Sequence, residues 1–320
     1  MTTPTFHEGE RAMQARAGVA ARMVELGPRV IRDAMPDQHR AFFAQLPFVL
    51  VGTLDDAGQP WASVLAAPPG FIHSPDAHTL MLQTKPLAGD PLEHTLVNGA
   101  SIGLLGLEPH TRRRNRMNGV VQGVGADGFG VQLQQSFGNC PKYIQVREPV
   151  YMPGRQTTQP VMHDSTQLDD AARRMVEAAD TLFIATAFSG NASTVGAAGS
   201  AGGVDVSHRG GKPGFVRVDA DGTLTMPDFL GNYFFNTLGN LAVNPRAGLL
   251  FVDFDNGDLL YLAVEADIVW DGPEVRAFEG AQRLLRFRVK RMRRLEAALP
   301  LRWGPSEQSP ALQGTGRWAN

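Results

Sequence analysis

The chain has 320 residues, of which 43% are hydrophobic and 19% are charged, and its formal net charge is −2. This near balance of charge argues against a general nucleic-acid binder, whose surface is usually clearly basic. Cys140 is the only cysteine, so an intrachain disulfide is excluded and a reducing compartment is indicated.

Neither a secretory signal nor a membrane span is predicted. Residues 1–18 carry charges early and lack an apolar segment. No window reaches the roughly 18 apolar residues that a transmembrane helix needs. We therefore expect a cytoplasmic protein that does not enter a membrane. The 35 glycines and 22 prolines predict many turns between short strands.

The first predicted region is a helical arm, residues 1–44. Apolar residues recur at helical spacing from Glu8 to Leu26, which predicts one helix. Asp37 can cap a second helix that runs to about Leu46.

Residues 45–155 are predicted to form a unit of short strands. Two apolar runs, Phe48 to Leu54 and Trp61 to Ala67, flank Asp55-Asp56-Ala57-Gly58, which is a hairpin signal. The elements predicted next are a strand at Thr79–Thr84, a short helix at Pro91–Asn98, a strand at Gly103–Leu105 and a basic run between strands at Thr111–Arg116.

Residues 156–180 are predicted to form a linker with a helix from Asp164 to Ala179, residues 181–300 a second unit, and residues 301–320 a tail. The elements predicted in the second unit are strands at Leu182–Ala187, Val204–Arg209, Thr223–Met226 and Gly248–Leu250, a loop rich in glycine, alanine and serine at Ser189–Gly203, and a helix at Tyr233–Val243.

Basic and apolar residues alternate from Arg283 to Arg294, which predicts a half-buried strand with a cationic outer face. We expect that charge to be solvated. The alternative is a docking site for an acidic electron-transfer partner or for the extra phosphate of NADPH.

Short sequence motifs of the first unit recur in the second unit at nearly the same sequence offset. The words PGF at 69–71 and TL at 79–80 recur 144 positions later, and GLL at 103–105 recurs 145 positions later. The ordinary alternative is that these are common turn and strand words. Three matches in the same order favour an internal duplication.

Three stretches of the second unit resemble the FMN-binding core of the pyridoxamine 5′-phosphate oxidase-related family. They are VDVSHRGGKPGFVRV (204–218), TLTMPDFLGN (223–232) and NLAVNPRAGLLF (240–251). The stretch FGNCPKYIQ (137–145) resembles the segment that closes a unit in the same superfamily.

This resemblance implies a mainly β fold with flanking helices (α+β), built from two split β-barrel units in tandem. In most relatives the two units are separate chains of a homodimer with FMN in the groove between them. Here one chain would form a pseudo-dimer, and two such chains could form a homodimer of pseudo-dimers.

The match to the oxidase itself is incomplete. Where that enzyme has a basic pair that grips phosphate, this chain has Asn232, Tyr233 and Phe234. We therefore expect an FMN-binding protein, a flavin-dependent oxidoreductase with a different substrate, whose partners are a small molecule or an electron donor such as NAD(P)H. The alternatives are a flavin- or haem-binding partner of a reductase without its own activity, and a degenerate barrel without a cofactor.

Arg209 is the first candidate for the FMN phosphate, because its planar guanidinium suits bidentate contact with phosphate oxygens. Ser207 and His208 are adjacent donors. At the matching positions the first unit has Ser63 and Leu65, so it keeps the hydroxyl and lacks the charge. One phosphate site per chain is therefore predicted, in the second unit.

The remaining cofactor candidates fall into two groups. From the second unit they are Lys212, the possible break in strand pairing at Met226, Pro227 and Asp228, and the helix-cap candidate Asn232; from the first unit they are Phe137, Asn139, Lys142 and Tyr143. Cys140 is expected to be buried and inert. The histidines lack zinc-site spacing, so no metal site is predicted, and no residue stands out as catalytic.

Overall fold

The protein is described from a computed structural model, which covers residues 5–155, 159–188 and 202–319. Within these ranges the chain is mainly β, with short helices between and beside the strands. No helix of the described part is long and apolar enough to cross a membrane.

The helices are short, and the longest spans 11 residues. In the described residues they are α1 (Glu8–Arg16), α2 (Ala20–Val30), α3 (Asp37–Ala44), α4 (Leu92–Thr95), α5 (Asp170–Ala178), α6 (Asn236–Val243) and α7 (Pro273–Ala277). A capping box starts α1, because the His7 ring accepts from the Gly9 N–H and the Glu10 carboxyl accepts from the His7 N–H.

The first unit is a 7-stranded antiparallel sheet. Its strands are β1 (Phe48–Leu54), β2 (Pro60–Ala66), β3 (Ile72–Asp76), β4 (Thr79–Leu82), β5 (Ser101–Glu108), β6 (Arg113–Gly125) and β7 (Gly128–Gly138). They lie in the order β2-β1-β5-β6-β7-β4-β3. The first and last strands of this path do not pair, so the barrel is open, as a split barrel is.

The second unit repeats this arrangement. The remaining strands are β8 (Pro149–Tyr151), β9 (Met162–Ser165), β10 (Thr181–Phe188), β11 (Gly203–Gly210), β12 (Arg217–Val218), β13 (Leu224–Phe229), β14 (Arg246–Val252), β15 (Leu259–Val269), β16 (Ala281–Leu295) and β17 (Leu301–Trp303). The second sheet has the order β11-β10-β14-β15-β16-β13-β12, with β9 paired to β16, and β8 pairs with β17 in a separate ribbon.

The two sheets match strand for strand, which confirms the predicted tandem of two units. Val51 pairs with Ser63 and Leu104 in the first sheet. Ile184 pairs with Ser207 and Leu249 at the corresponding place in the second. The pairing therefore reproduces the offsets of 144 and 145 seen in the sequence.

A pseudo-twofold axis relates the units, and glycines allow their close approach. A Cβ on Gly103 would lie 2.4 Å from the Val204 carbonyl oxygen, and a Cβ on its counterpart Gly248 would lie 2.4 Å from the Pro60 carbonyl oxygen. Each unit also has its own apolar core, and a further core is shared, with Leu50 of the first unit and Phe183 of the second among its members.

Several predicted helices differ from the observed ones. The helix predicted from Glu8 to Leu26 is two helices, because Gly18 adopts a left-handed conformation between them. The linker helix is shorter than predicted, because residues 162–165 pair with β16 as β9. The helix predicted from Tyr233 begins only at Asn236.

One basic segment differs from its prediction, and another lies where it was predicted. The run at Thr111–Arg116 does not lie between strands, because β6 begins at Arg113. The strand predicted at Arg283–Arg294 is confirmed as part of β16, and its outward Arg286 and Lys290 pair with Glu274 and Glu265. The predicted loop Ser189–Gly203 lies outside the described residues, except for its last two positions.

Candidate cofactor cleft

A cleft opens where the second sheet meets the segment that follows β7 of the first. The second unit contributes Ser207, His208 and Arg209 from β11 and the residues of β13 around Asp228. The first unit contributes side chains of β6 and of the stretch from Asn139 to Tyr143. The site is therefore shared by the two halves of the chain.

Two arginines of the second unit converge on one carboxylate. Arg209 forms an ion pair with Asp228, and the Arg283 Nη1 lies 3.6 Å from the other Asp228 oxygen. Arg283 is only 7% exposed, and its Nε and Nη1 have no hydrogen-bond partner in the described part of the chain. The Nε of Arg209 is likewise buried without a partner. These free donors suit an anionic ligand.

The first unit adds Arg114, which has no carboxylate partner within the described ranges. Its Nε donates to the Cys140 carbonyl at 2.8 Å, and its Nη1 donates to His208 Nδ1 at 3.2 Å. Burial lowers the pKa of Arg114 to about 10. A bound anion would offset that cost of holding a cation away from water.

His208 is a neutral acceptor in this arrangement. Burial lowers the pKa of its imidazole well below the ordinary value, and the positive charges of Arg114 and Arg209 lower it further. The Arg114 contact makes Nδ1 the acceptor, so the proton of the neutral ring lies on Nε2.

A buried polar network forms the floor of the cleft. Arg116 donates to Asp205 at 3.0 Å and also to the hydroxyl of Ser207. Asn236, which lines the cleft, donates to Glu10 of α1 at 2.5 Å. Burial raises the pKa of Glu10 well above its usual value, and the neighbouring Asp205 raises it further. The N-terminal arm thus places a buried carboxyl, with a raised pKa, beneath the cleft.

Three aromatic residues at the cleft have an unusual backbone. Tyr143, Tyr233 and Phe235 have φ angles of 65°, 64° and 63°, in the left-handed region that non-glycine residues rarely adopt. All three line the cleft. Such strain gathers at functional sites, where surrounding contacts hold it in place.

Ten of the twelve predicted cofactor residues line this cleft. They are Ser207, His208, Arg209, Met226, Pro227, Asp228, Asn232, Asn139, Lys142 and Tyr143. Lys212 does not, because its ammonium donates to the Thr315 carbonyl in the C-terminal tail. Phe137 does not either, because it is buried against Phe234 and the N-terminal arm.

Three local predictions were wrong. Cys140 is half-buried and lines the cleft, so it is not a core cysteine. Asn232 does not cap α6, whose cap position is Phe235; it accepts instead from the Phe234 N–H at 3.1 Å. Pro227 does not break the pairing, which runs through it to Leu284 and shifts only between Asp228 and Phe229.

Sequence reasoning missed Arg114, Arg116 and Arg283. Each lies in a run of arginines that looked solvated, and only the fold turns these members inward. A usable signal existed for Arg283, because its alternate spacing with Leu285 and Phe287 puts it on the apolar face of the predicted strand.

The pseudo-equivalent place in the other half of the molecule is filled. There the counterparts of Arg209, Arg114 and Arg116 are Leu65, Leu259 and Tyr261, all fully buried. Tyr261 donates to Asp90 at 2.7 Å, and Ser63 donates to the same carboxyl at 2.5 Å. Side chains of this chain therefore occupy the space that forms the cleft on the other side.

Comparison with known proteins identifies the first unit. Residues 35–156 match the family described as pyridoxamine 5′-phosphate oxidase. A search of curated proteins found no match.

Solved structures give partial likenesses. A putative pyridoxamine 5′-phosphate oxidase from Lactobacillus delbrueckii is 12% identical over 40% of this chain and 94% of its own, with a TM-score of 0.30. A histidine-to-alanine variant of HupZ from Group A Streptococcus is 13% identical over 39% of this chain and 96% of its own, with a TM-score of 0.29.

The family match covers the first unit, and the strand order of that unit recurs in the second. The first unit thus matches the pyridoxamine 5′-phosphate oxidase family, and the chain holds two units of the same strand order in tandem.

Proposed function

We propose that the protein binds one FMN in the cleft and acts as a flavin-dependent oxidoreductase on a substrate other than a B6 vitamer. The observation that carries the proposal is the set of buried guanidinium N–H donors at Arg209 and Arg283 that have no acceptor among the described residues. The family match of the first unit supports a flavin as the ligand.

The residues of the cleft fit FMN on two counts. A dianionic phosphate would take the free donors of Arg209 and Arg283 and relieve the buried charge of Arg114. The flat ring would find apolar and aromatic surface at Met226, Phe229 and Tyr233. When bound, FMN supplies the transfer of a hydride or of single electrons.

The protein itself would bind and orient the flavin and keep water out of the cleft. Arg116 and Thr237 both donate to the hydroxyl of Ser207, which fixes the floor against which a ligand rests. Tyr143 donates to the Leu230 carbonyl at 3.1 Å, which ties the first unit to the rim of the second. His208 stays neutral, so it accepts the hydrogen bond from Arg114 and leaves the arginines to supply the positive charge beside the phosphate.

The direct test is to add FMN to purified protein stripped of small molecules. We expect a yellow complex, quenched flavin fluorescence and bleaching on addition of NADPH or NADH. Bleaching that is followed by electron transfer to an acceptor indicates an enzyme, and binding without any reduction indicates a passive binder. A protein that stays colourless and leaves FMN fluorescence unchanged contradicts the proposal.

A further inference from the structure

A second, smaller cavity lies on the pseudo-twofold axis between the two units. Its walls include pairs of residues that occupy equivalent places in the two sheets: Leu50 with Phe183, Val64 with His208, and Leu107 with Val252. The cavity therefore arises from the way the two units face each other. It is distinct from the cleft, although His208 lines both.

The cavity offers almost nothing to a polar molecule. Most of its walls are aliphatic or aromatic. The Gln145 amide already donates to the Gly211 carbonyl and accepts from the Ser309 N–H, and Arg147 is paired with Asp180. The Trp303 Nε1–H is buried without an acceptor in the described part of the chain, and the other polar lining residues are Thr181 and His208. An ordered internal water needs two to four polar partners, so water is poorly held here.

The size of the cavity limits the occupant further. Its free volume is about 20 Å³. One water molecule needs on the order of 10–15 Å³ of such free volume, whereas a cavity that binds benzene measures about 150 Å³. The occupant is therefore an uncharged molecule of very few atoms.

We propose that this axial cavity binds a small apolar gas and supplies dioxygen to the cleft past His208, which lines both spaces. The supply role rests on the proposed function, whereas the gas site does not. In the reaction, dioxygen takes two electrons and two protons from reduced FMN and leaves as hydrogen peroxide, and FMN returns to its oxidised form.

Xenon tests the site directly, because it binds dry apolar cavities of proteins. Crystals of the full chain under xenon pressure are expected to show a xenon peak between Leu50, Val64 and Phe183. The variants Val64→Ile and Val252→Ile each add one methyl group beside the cavity and are expected to lose the peak. Val120→Ile, on the half-buried part of β6, is the control and is expected to keep it.

The supply role has its own readout. In the FMN-loaded protein, stopped-flow reoxidation by dioxygen is expected to slow several-fold in Val64→Ile and to be unchanged in Val120→Ile. Absence of xenon from this cavity, or an ordered water bound to Trp303 in its place, overturns the gas site. Xenon binding in the parent protein, together with unchanged reoxidation in Val64→Ile, overturns the supply role. Neither result bears on whether FMN binds.

Discussion

At the scale of single residues, the cleft depends on arginines whose charges are not fully paired. Arg283 is the clearest case, because it is buried, lies over the rings of Phe235 and Trp270, and has two donor atoms without a hydrogen-bond partner among the described residues. Its burial lowers the pKa of the guanidinium. Holding a cation away from water costs free energy, and a bound anionic ligand would offset that cost.

We therefore expect Arg283→Met to weaken FMN binding about 10- to 150-fold, the equivalent of 1.5–3 kcal/mol for hydrogen bonds to a charged group. Fluorescence titration with FMN measures the effect. Arg286→Met is the matched control, since Arg286 lies on the same strand but pairs with Glu274 outside the cleft. Equal affinities for both variants and the parent protein would remove Arg283 from the site.

The sequence pointed to part of this site and not to the rest. Arg209 could be predicted because the repeat aligns it with Leu65, and a charge present in one copy only suggests a function. Arg114 could not, because its neighbours Arg112 and Arg113 are also basic and nothing local shows which of them faces inward. That choice depends on the register between β5 and β6, which is set by distant packing.

At the scale of elements, the α1–α6 contact joins the N-terminal arm to the cleft. A Cβ on Gly239 would lie 2.6 Å from the backbone nitrogen of Glu10, and a Cβ on Gly9 would lie 2.1 Å from the Gly239 carbonyl oxygen. Glu10 in turn accepts from Asn236 at the cleft. The glycines thus let α1 place its buried carboxyl beneath the site.

Gly239→Ala is expected to lower the free energy of unfolding by about 1–3 kcal/mol, the usual cost of overpacking, and to weaken FMN binding. Urea denaturation and FMN titration measure the two effects. Gly314→Ala serves as the control, because a Cβ there meets nothing within 4 Å. If Gly239→Ala is as stable as the control, α1 does not pack on α6 as described.

The filled half of the molecule gives a pH-dependent contact between β2 and β15. Asp90 accepts from Ser63 and Tyr261, and burial raises its pKa from 3.8 to about 6. Because the pKa is higher in the folded protein than in the unfolded chain, the protonated carboxyl stabilises the fold fully below pH 3.8. This contribution is lost as the pH rises through about 6.

The unfolding free energy of the parent protein, relative to that of Asp90→Asn, is therefore expected to fall by on the order of 3 kcal/mol between pH 4 and pH 7. Denaturation curves at several pH values measure it. Asp56→Asn, an exposed change in the β1–β2 turn, provides the comparison. A difference that rises with pH would contradict the assigned direction of the pKa shift.

Strand positions were more predictable from the sequence than helix positions. The limits of β1 match the prediction, because an apolar run followed by Asp-x-x-Gly signals a strand and its turn. The length of α5 was not predictable, because β9 takes residues 162–165 through pairing with β16, more than a hundred residues away.

At the scale of the whole molecule, the two units share a fold but not a site. Their strand orders and interface glycines are symmetric about the pseudo-twofold axis. The cleft is not, because arginines on one side are replaced by Leu65, Leu259 and Tyr261 on the other. A tandem chain allows this divergence, since each half can change without changing the other.

The number of FMN molecules bound per chain tests this account most directly. Native mass spectrometry of FMN-saturated protein, together with the absorbance of flavin released on denaturation, gives that number for the intact chain. We expect one FMN per chain, and none in a variant that combines Arg209→Ala with Arg283→Met. Two FMN per chain, or one that survives the double substitution, would contradict a single cleft built on the arginines of the second unit.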